Sequence, residues 1–182
     1  MNLFVREYLS CRLCGENDTK SVLDIGSQYV NNFVPKGLWE GIICPLNIVH
    51  CQKCDLYQLK HTAPQELLYK GTYWYKSGVT NFMVNHLHEL ANDISLILKD
   101  KTDPQVLDIG ANDGTFLKFL DRRIKRIGVE PATNLQDELK NNCDNAYAEL
   151  WTENFSSKII NLEGKFDVVT ALGMFYDLDD PI

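Results

Sequence analysis

The stretch Val106-Leu107-Asp108-Ile109-Gly110-Ala111-Asn112-Asp113-Gly114-Thr115-Phe116 constrains the fold of this chain more than any other. Its apolar start reads as a short buried strand and its two glycines as a turn. The run Phe116, Leu117, Phe119 and Leu120 reads as a helix. Strand, glycine turn and helix together open a nucleotide-binding βαβ unit. Gly110 permits a sharp turn because glycine tolerates positive φ. Gly114 lets the helix start close to whatever occupies the turn. Asp108 falls at the carboxyl end of the strand, where open α/β sheets bind ligands.

The next apolar stretch, Arg126-Ile127-Gly128-Val129-Glu130, reads as a second strand ending in an acid and followed by Pro131. Glu130 lies 22 residues beyond Asp108, close to the ~20 expected of an acid that grips ribose hydroxyls. Asn112 stands where a G-x-G-x-x-G turn has its middle glycine. A pyrophosphate needs the close backbone approach of that glycine, so the pattern disfavours NAD. It suits a nucleoside cofactor without phosphates, such as S-adenosylmethionine. The candidate cofactor-binding residues are Asp108, Gly110, Ala111, Asn112, Asp113, Gly114, Glu130 and Pro131.

From Pro104 onward helices and strands alternate. Strands are predicted at 105–109, 126–130, near 145–148 and at 166–172, and helices near 114–123, 132–141 and 152–161. A loop begins after residue 172. The pattern predicts an α/β fold with a right-handed parallel sheet. Four strands make about half of a doubly wound domain, and the last of them is expected to present an open edge.

The N-terminal part carries different chemistry. Cys11-Arg12-Leu13-Cys14-Gly15 and Cys51-Gln52-Lys53-Cys54-Asp55 are two C-x-x-C pairs. Two such pairs supply the four corners of a tetrahedral zinc site, each from a tight knuckle. The residue after the second cysteine often takes a left-handed conformation, which Gly15 adopts freely and Asp55 tolerates. Cys11, Cys14, Cys51 and Cys54 are thus predicted to hold one structural Zn2+. A closed site of four cysteines leaves no position for substrate and is assigned no catalysis. Cys44 and Cys143 have no partner in the sequence and read as small buried apolar residues. Ser21–Gly26 and Leu46–His50 look like short strands, and Asn31–Phe33 and Pro35–Gly37 like loop.

Charge narrows the partners. The formal net charge is −7, and residues 1–60 carry six basic and six acidic side chains, a poor surface for phosphates. No run approaches the ~18 apolar residues of a membrane span. The N-terminus has no signal-peptide h-region, so a cytoplasmic chain with reduced cysteines is expected. Neither nucleic acid nor membrane is an expected partner, and the oligomeric state is not legible.

Between the two parts, Leu56–Leu59 reads as a strand and Pro64–Tyr69 as a short helix begun by proline. Tyr73-Trp74-Tyr75-Lys76-Ser77-Gly78 is dense in aromatics, which either wall a pocket or pack domains together. Residues 79–99 are predicted as a long amphipathic helix, with Phe82, Leu87, Leu90, Ile94 and Ile97/Leu98 forming its apolar stripe. His86 and His88 lie two apart and cannot form an i, i+4 metal pair. The division expected is a zinc-binding domain over 1–70, an aromatic linker and helix over 71–103, and a cofactor-binding domain over 104–182.

Taken in order, several of these motifs resemble the sugar C-methyltransferases that act on nucleotide-linked deoxysugars. They are the two cysteine pairs, Cys54-Asp55-Leu56-Tyr57-Gln58-Leu59, Tyr73-x-Tyr75-x-Ser77, His86, Asp108 to Gly114 and Gly128-Val129-Glu130-Pro131-Ala132. The resemblance implies an N-terminal zinc-binding domain followed by a partial Rossmann-like class I methyltransferase domain. It implies S-adenosylmethionine as cofactor and a nucleotide-linked keto-sugar as substrate. Tyr73, Tyr75 and His86 become the candidate catalytic residues. Met174-Phe175-Tyr176-Asp177 departs from the asparagine and histidine of well-known members. The base expected of that family lies in a later His-Glu-His segment, so this chain is expected to be inactive by itself. An RNA methyltransferase with a zinc module, or a non-catalytic cofactor-binding or assembly module, are the alternatives.

Overall fold

A computed structural model of the chain describes residues 5–30 and 43–178. Two units emerge, one running up to Leu68 and the other from Tyr69 to Leu178. The predicted loops at 31–33 and 35–37, and the end of the predicted loop beyond residue 178, lie outside the described residues.

The first unit contains β1 (Arg6–Glu7), β2 (Thr19–Tyr29), β3 (Ile43–Cys51), β4 (Tyr57–Leu59) and β5 (His61–Thr62). β2, β3 and β4 form an antiparallel sheet with β3 in the middle, and β1 pairs with β5. Cys44, Asn47, Val49 and Cys51 of β3 are buried, as suits the central strand. β2 is longer than the predicted Ser21–Gly26, and the reason is a bulge. Gly26 takes φ +71° and donates its N–H to Asp24 Oδ1 at 2.9 Å. Past it the chain pairs again, Ser27 opposite Pro45 and Tyr29 opposite Ile43. A glycine that looks like a strand terminator is here an interruption within one ladder.

The second unit begins with the last residue of α1 (Gln65–Tyr69) and continues through the long helix α2 (Asn81–Ile97). Then follow β6 (Gln105–Ile109), α3 (Thr115–Phe119), β7 (Lys125–Val129), α4 (Gln136–Asn142), β8 (Asn145–Tyr147), α5 (Glu153–Glu163) and β9 (Val168–Thr170). The four strands are parallel in the order β8-β7-β6-β9. From β6 the chain builds outward through β7 to β8, then returns to place β9 on the opposite side. β6 therefore borders the switch point at which such sheets bind ligands. Among the described residues β9 pairs with β6 alone.

Both faces of β6 are buried, as expected of a parallel sheet. Val106 joins Leu87, Ala91 and Ile94 of α2, Leu98 just after it, and Phe116 and Leu117 of α3 in one core cluster. Leu107 and Ile109 join Ile127, Val129, Phe155 and Ile159 in a second cluster, under α5. Thr80 caps α2, its hydroxyl accepting the Met83 N–H at 3.3 Å. The apolar stripe differs from the predicted one at its start, since Phe82 is 84% exposed, while at its far end Leu98 rather than Ile97 is buried. Phe82 is five residues from Leu87, about 140° away around a helix of 3.6 residues per turn. The stripe runs through Ala91 instead. No helix among the described residues is long and apolar enough to cross a membrane.

Candidate functional site

In the first unit the four predicted cysteines converge. Their sulfurs all lie within 4.8 Å of one another, and the Cys11–Cys54 and Cys14–Cys51 pairs stand 3.6 Å apart. A tetrahedron with Zn–S bonds of ~2.3 Å has edges of ~3.8 Å, so the donors fit Zn2+. Each knuckle closes the same way. The Gly15 N–H donates to the Cys11 carbonyl at 2.9 Å and the Asp55 N–H to the Cys51 carbonyl at 3.1 Å. Gly15 and Asp55 both have positive φ, +72° and +60°, as the spacing predicted. One residue was not foreseen. Gln58 of β4 is buried, accepting the Arg12 N–H at 2.8 Å and donating to the Ser10 carbonyl at 3.1 Å. It ties the first knuckle to the sheet that carries the second. Cys44 and Cys143 are buried free thiols, held neutral because burial pushes both pKa values up.

In the second unit the glycine turn leaves β6 as predicted. The Gly110 and Ala111 N–H groups donate to the Val129 carbonyl at 2.8 and 3.0 Å. Gly110 has φ +73°, and a Cβ there would lie 2.8 Å from Met174 Cγ. Gly114 has φ +76°, and a Cβ there would lie 2.8 Å from Asn142 Cβ. Neither position admits a side chain without displacing its neighbour. Ala111 is buried, and Pro131 is half-buried directly after Glu130.

Two acids are buried at the carboxyl ends of the strands. Glu130 is 6% exposed. Its Oε2 accepts the Asn112 N–H at 3.0 Å and its Oε1 the Ala132 N–H at 2.9 Å. Burial raises its pKa, and the two amides oppose the rise. Each carboxylate oxygen has a further lone pair, so vicinal hydroxyls can still be accepted. Asp108 is 2% exposed and accepts the Thr170 hydroxyl at 2.7 Å. Burial pushes its pKa up to about 7, against the Thr170 bond and with help from the charge on Glu130.

The raised Asp108 pKa makes stability depend on pH. A carboxyl whose folded pKa exceeds its unfolded value binds more protons when folded. Its contribution is complete below about pH 4 and is lost as pH rises through about 7. Asp108→Asn should therefore raise the melting temperature relative to the parent chain more at pH 8 than at pH 4. A difference that does not grow between those two values would show that the carboxylate ionises without cost.

Tyr73 and Tyr75 lie on a segment that the structure ties to this turn and to Asn134 by hydrogen bonds: its N–H groups donate to Asn134, Asn112 and Asp113, and Asn112 donates to the Tyr75 carbonyl. Tyr73 is half-buried. Its phenol is held neutral by burial and then by Asp177, Glu130 and the neighbouring tyrosines. Tyr75 is half exposed. His86 is exposed on α2 and makes no hydrogen bond with either tyrosine. His88 packs on Phe119, ring centroids 4.6 Å apart. Sequence reasoning missed Tyr69 and Asp177. Burial and the adjacent Asp177 raise the Tyr69 pKa, and burial raises that of Asp177 against a hydrogen bond from Tyr69. Nothing in the spacing of residues 69 and 177 announces that pair.

Residues 11–69 match a family described as a zinc binding domain, and residues 82–182 a family described as a methyltransferase domain. The chain is 30% identical over 140 residues to the C-methyltransferase NovU of Streptomyces niveus. That alignment covers 74% of this chain and 33% of the relative, so the chain spans about a third of the length of the curated relative it matches.

Proposed function

The chain belongs to the methyltransferase-domain family, with S-adenosylmethionine and Zn2+ as the cofactors its two domains imply; from that premise we propose that it serves methylation of a carbon next to a ketone on a nucleotide-linked deoxysugar. The observation that carries the reading is the meeting of three features at the carboxyl end of β6. These are a turn without room for side chains at its glycines, the buried acid Glu130 just after β7, and near that acid the Tyr73 phenol, held neutral by burial. The C-methyltransferase relative and the resemblance of the ordered motifs support a carbon acceptor and a sugar.

When bound, the cofactor supplies an electrophilic methyl group. Glu130 accepts the ribose hydroxyls, and the Gly110–Gly114 turn seats the nucleoside. Asp108 holds charge near the turn only above its raised pKa. A base, which the family resemblance assigns to a later His-Glu-His segment, takes the proton from the carbon next to the ketone, and the resulting negative charge gathers on the ketone oxygen. Tyr73 and Tyr75 donate hydrogen bonds to that oxygen; burial holds the Tyr73 phenol neutral and so keeps it a donor. Their ring faces favour a cationic sulfur nearby. His86 is a second candidate donor to that oxygen. The four-cysteine site stabilises the first unit and, with four thiolates filling the tetrahedron, leaves no open position for substrate.

The test is transfer of labelled methyl to a panel of nucleotide-linked keto-sugars. It is run with the chain, and in parallel with the chain supplemented by the part of the relative that it does not span. The expected product carries a new carbon–methyl bond, and in the substrate the carbon that takes the methyl exchanges its hydrogen for deuterium from solvent. Transfer to RNA instead would replace the reading. Tyr73→Phe and Tyr75→Phe should each lower turnover at least tenfold, with melting temperature changed little. Lost stability with normal specific activity would make them packing residues.

A further inference from the structure

The tyrosine-bearing segment is bound to the cofactor turn through its main chain. The Ser77 N–H donates to Asn112 Oδ1 at 2.9 Å, and Asn112 Nδ2 donates to the Tyr75 carbonyl at 3.0 Å. The Gly78 N–H donates to Asp113 Oδ2 at 2.8 Å. Asp113 Oδ1 meanwhile accepts the N–H and hydroxyl of Thr115, at 3.0 and 2.6 Å, at the start of α3. One carboxylate thus joins the helix start to the segment. A Cβ at Gly78 would sit 2.8 Å from Thr115 Oγ1 and 2.9 Å from Asp113 Oδ2. The approach is close enough to require glycine.

A second attachment comes from the loop after β7. The Tyr73 N–H donates to Asn134 Oδ1 at 2.9 Å, and Asn134 Nδ2 returns a bond to the Tyr73 carbonyl at 3.0 Å. The Thr133 N–H donates to the Gly71 carbonyl at 3.1 Å. Residues 71–78 therefore form a strap held by the loops that follow β6 and β7, the two loops that form the cofactor site.

We propose that Asn112 and Asp113 are positioning residues that latch this strap to the cofactor turn, so that cofactor binding and the seating of Tyr73 and Tyr75 are one coupled event. The inference rests on the function proposed above. It also gives a reason for the residue at 112. Asn112 takes φ +53°, a conformation glycine would adopt more easily, yet a glycine has no amide to reach Ser77 and Tyr75. The route is short. Glu130 Oε2 accepts the Asn112 N–H, and the Asn112 side chain holds the strap. A ligand that bonds Glu130 and orders the turn orders the tyrosines as well. Coupling is reciprocal, so loosening the strap weakens the ligand by the same factor.

Asn112→Gly tests this, because glycine keeps the positive φ while deleting both side-chain bonds. Gly78→Ala attacks the same contact from the strap. Amide hydrogen exchange is measured with and without S-adenosylhomocysteine, and affinity by calorimetry. In the parent chain the ligand should slow exchange across 73–78 at least tenfold. In both variants that slowing should vanish and the dissociation constant rise fivefold or more, while β6 and β7 amides stay protected as a check on folding. Retained slowing of the strap in Asn112→Gly, or a looser strap with unchanged affinity, would overturn the latch. Failure of the parent chain to bind the ligand would instead overturn the proposed function, and the coupling with it.

Discussion

Replacing Cys51 by serine, or stripping zinc with a chelator, should unfold the first unit and leave the parallel sheet of the second folded. Among the described residues of the first unit the buried apolar side chains are few: Cys11, Cys44, Val49, Cys51 and Ala63. Two of these five are zinc ligands. A core this small needs a staple, since domains of this size rarely gain more than a few kcal/mol from burial alone. Cys51 is also the last residue of the central strand, paired with Thr19. Its loss opens the site and frays β2 and β3 from the same end. Zinc binding and folding are one equilibrium in such units, with apparent binding energies on the order of 10–16 kcal/mol. The readouts are zinc per chain and amide exchange. Close to one zinc is expected, with exchange across 43–59 becoming fast in the variant while 105–109 stays slow. Unchanged protection of 43–59 in zinc-free protein would remove the metal from any structural role.

The parts of the fold that rest on local pattern were readable in advance. The strand at 105–109, the turn at 110–114 and the acid at 130 follow from apolar runs and from glycine at fixed spacing, and the parallel order follows from alternation. The knuckles were readable for the same reason, down to the left-handed Gly15 and Asp55. Features set by a distant partner were not. Gly26 looked like the end of a strand because its bulge is defined by the opposite strand. Phe82 looked like core because its hydrophobicity is visible and its rotation about the helix is not. Gln58 looked like an ordinary polar strand residue until the first knuckle was folded against it. Asn112 and Asp113 read as cofactor-turn residues, but the structure directs their side chains to a segment some 35 residues earlier. Spacing can find a turn, but it does not say what the turn's side chains will meet.

Glu130→Ala should weaken S-adenosylmethionine binding by about 2–3 kcal/mol, roughly 30- to 150-fold, if, as proposed, the ribose hydroxyls lose a charged acceptor inside a desolvated site. The same carboxylate also accepts the Asn112 and Ala132 N–H groups, so part of any loss comes from a loosened turn. Two measurements separate the contributions. The melting temperature of the unliganded variant reports the turn, and calorimetry with adenosine against 2′,3′-dideoxyadenosine reports the hydroxyls. In the parent chain the ribose should bind more tightly than its dideoxy counterpart, and in Glu130→Ala the two should bind alike. Acidification should act in the same direction as the substitution. Burial raises the Glu130 pKa, so the carboxylate protonates at a higher pH than one in water and its acceptor capacity falls there. Unchanged affinity in Glu130→Ala, or a preference for NAD, would mean that the acid serves only to brace the turn and that the ribose lies elsewhere.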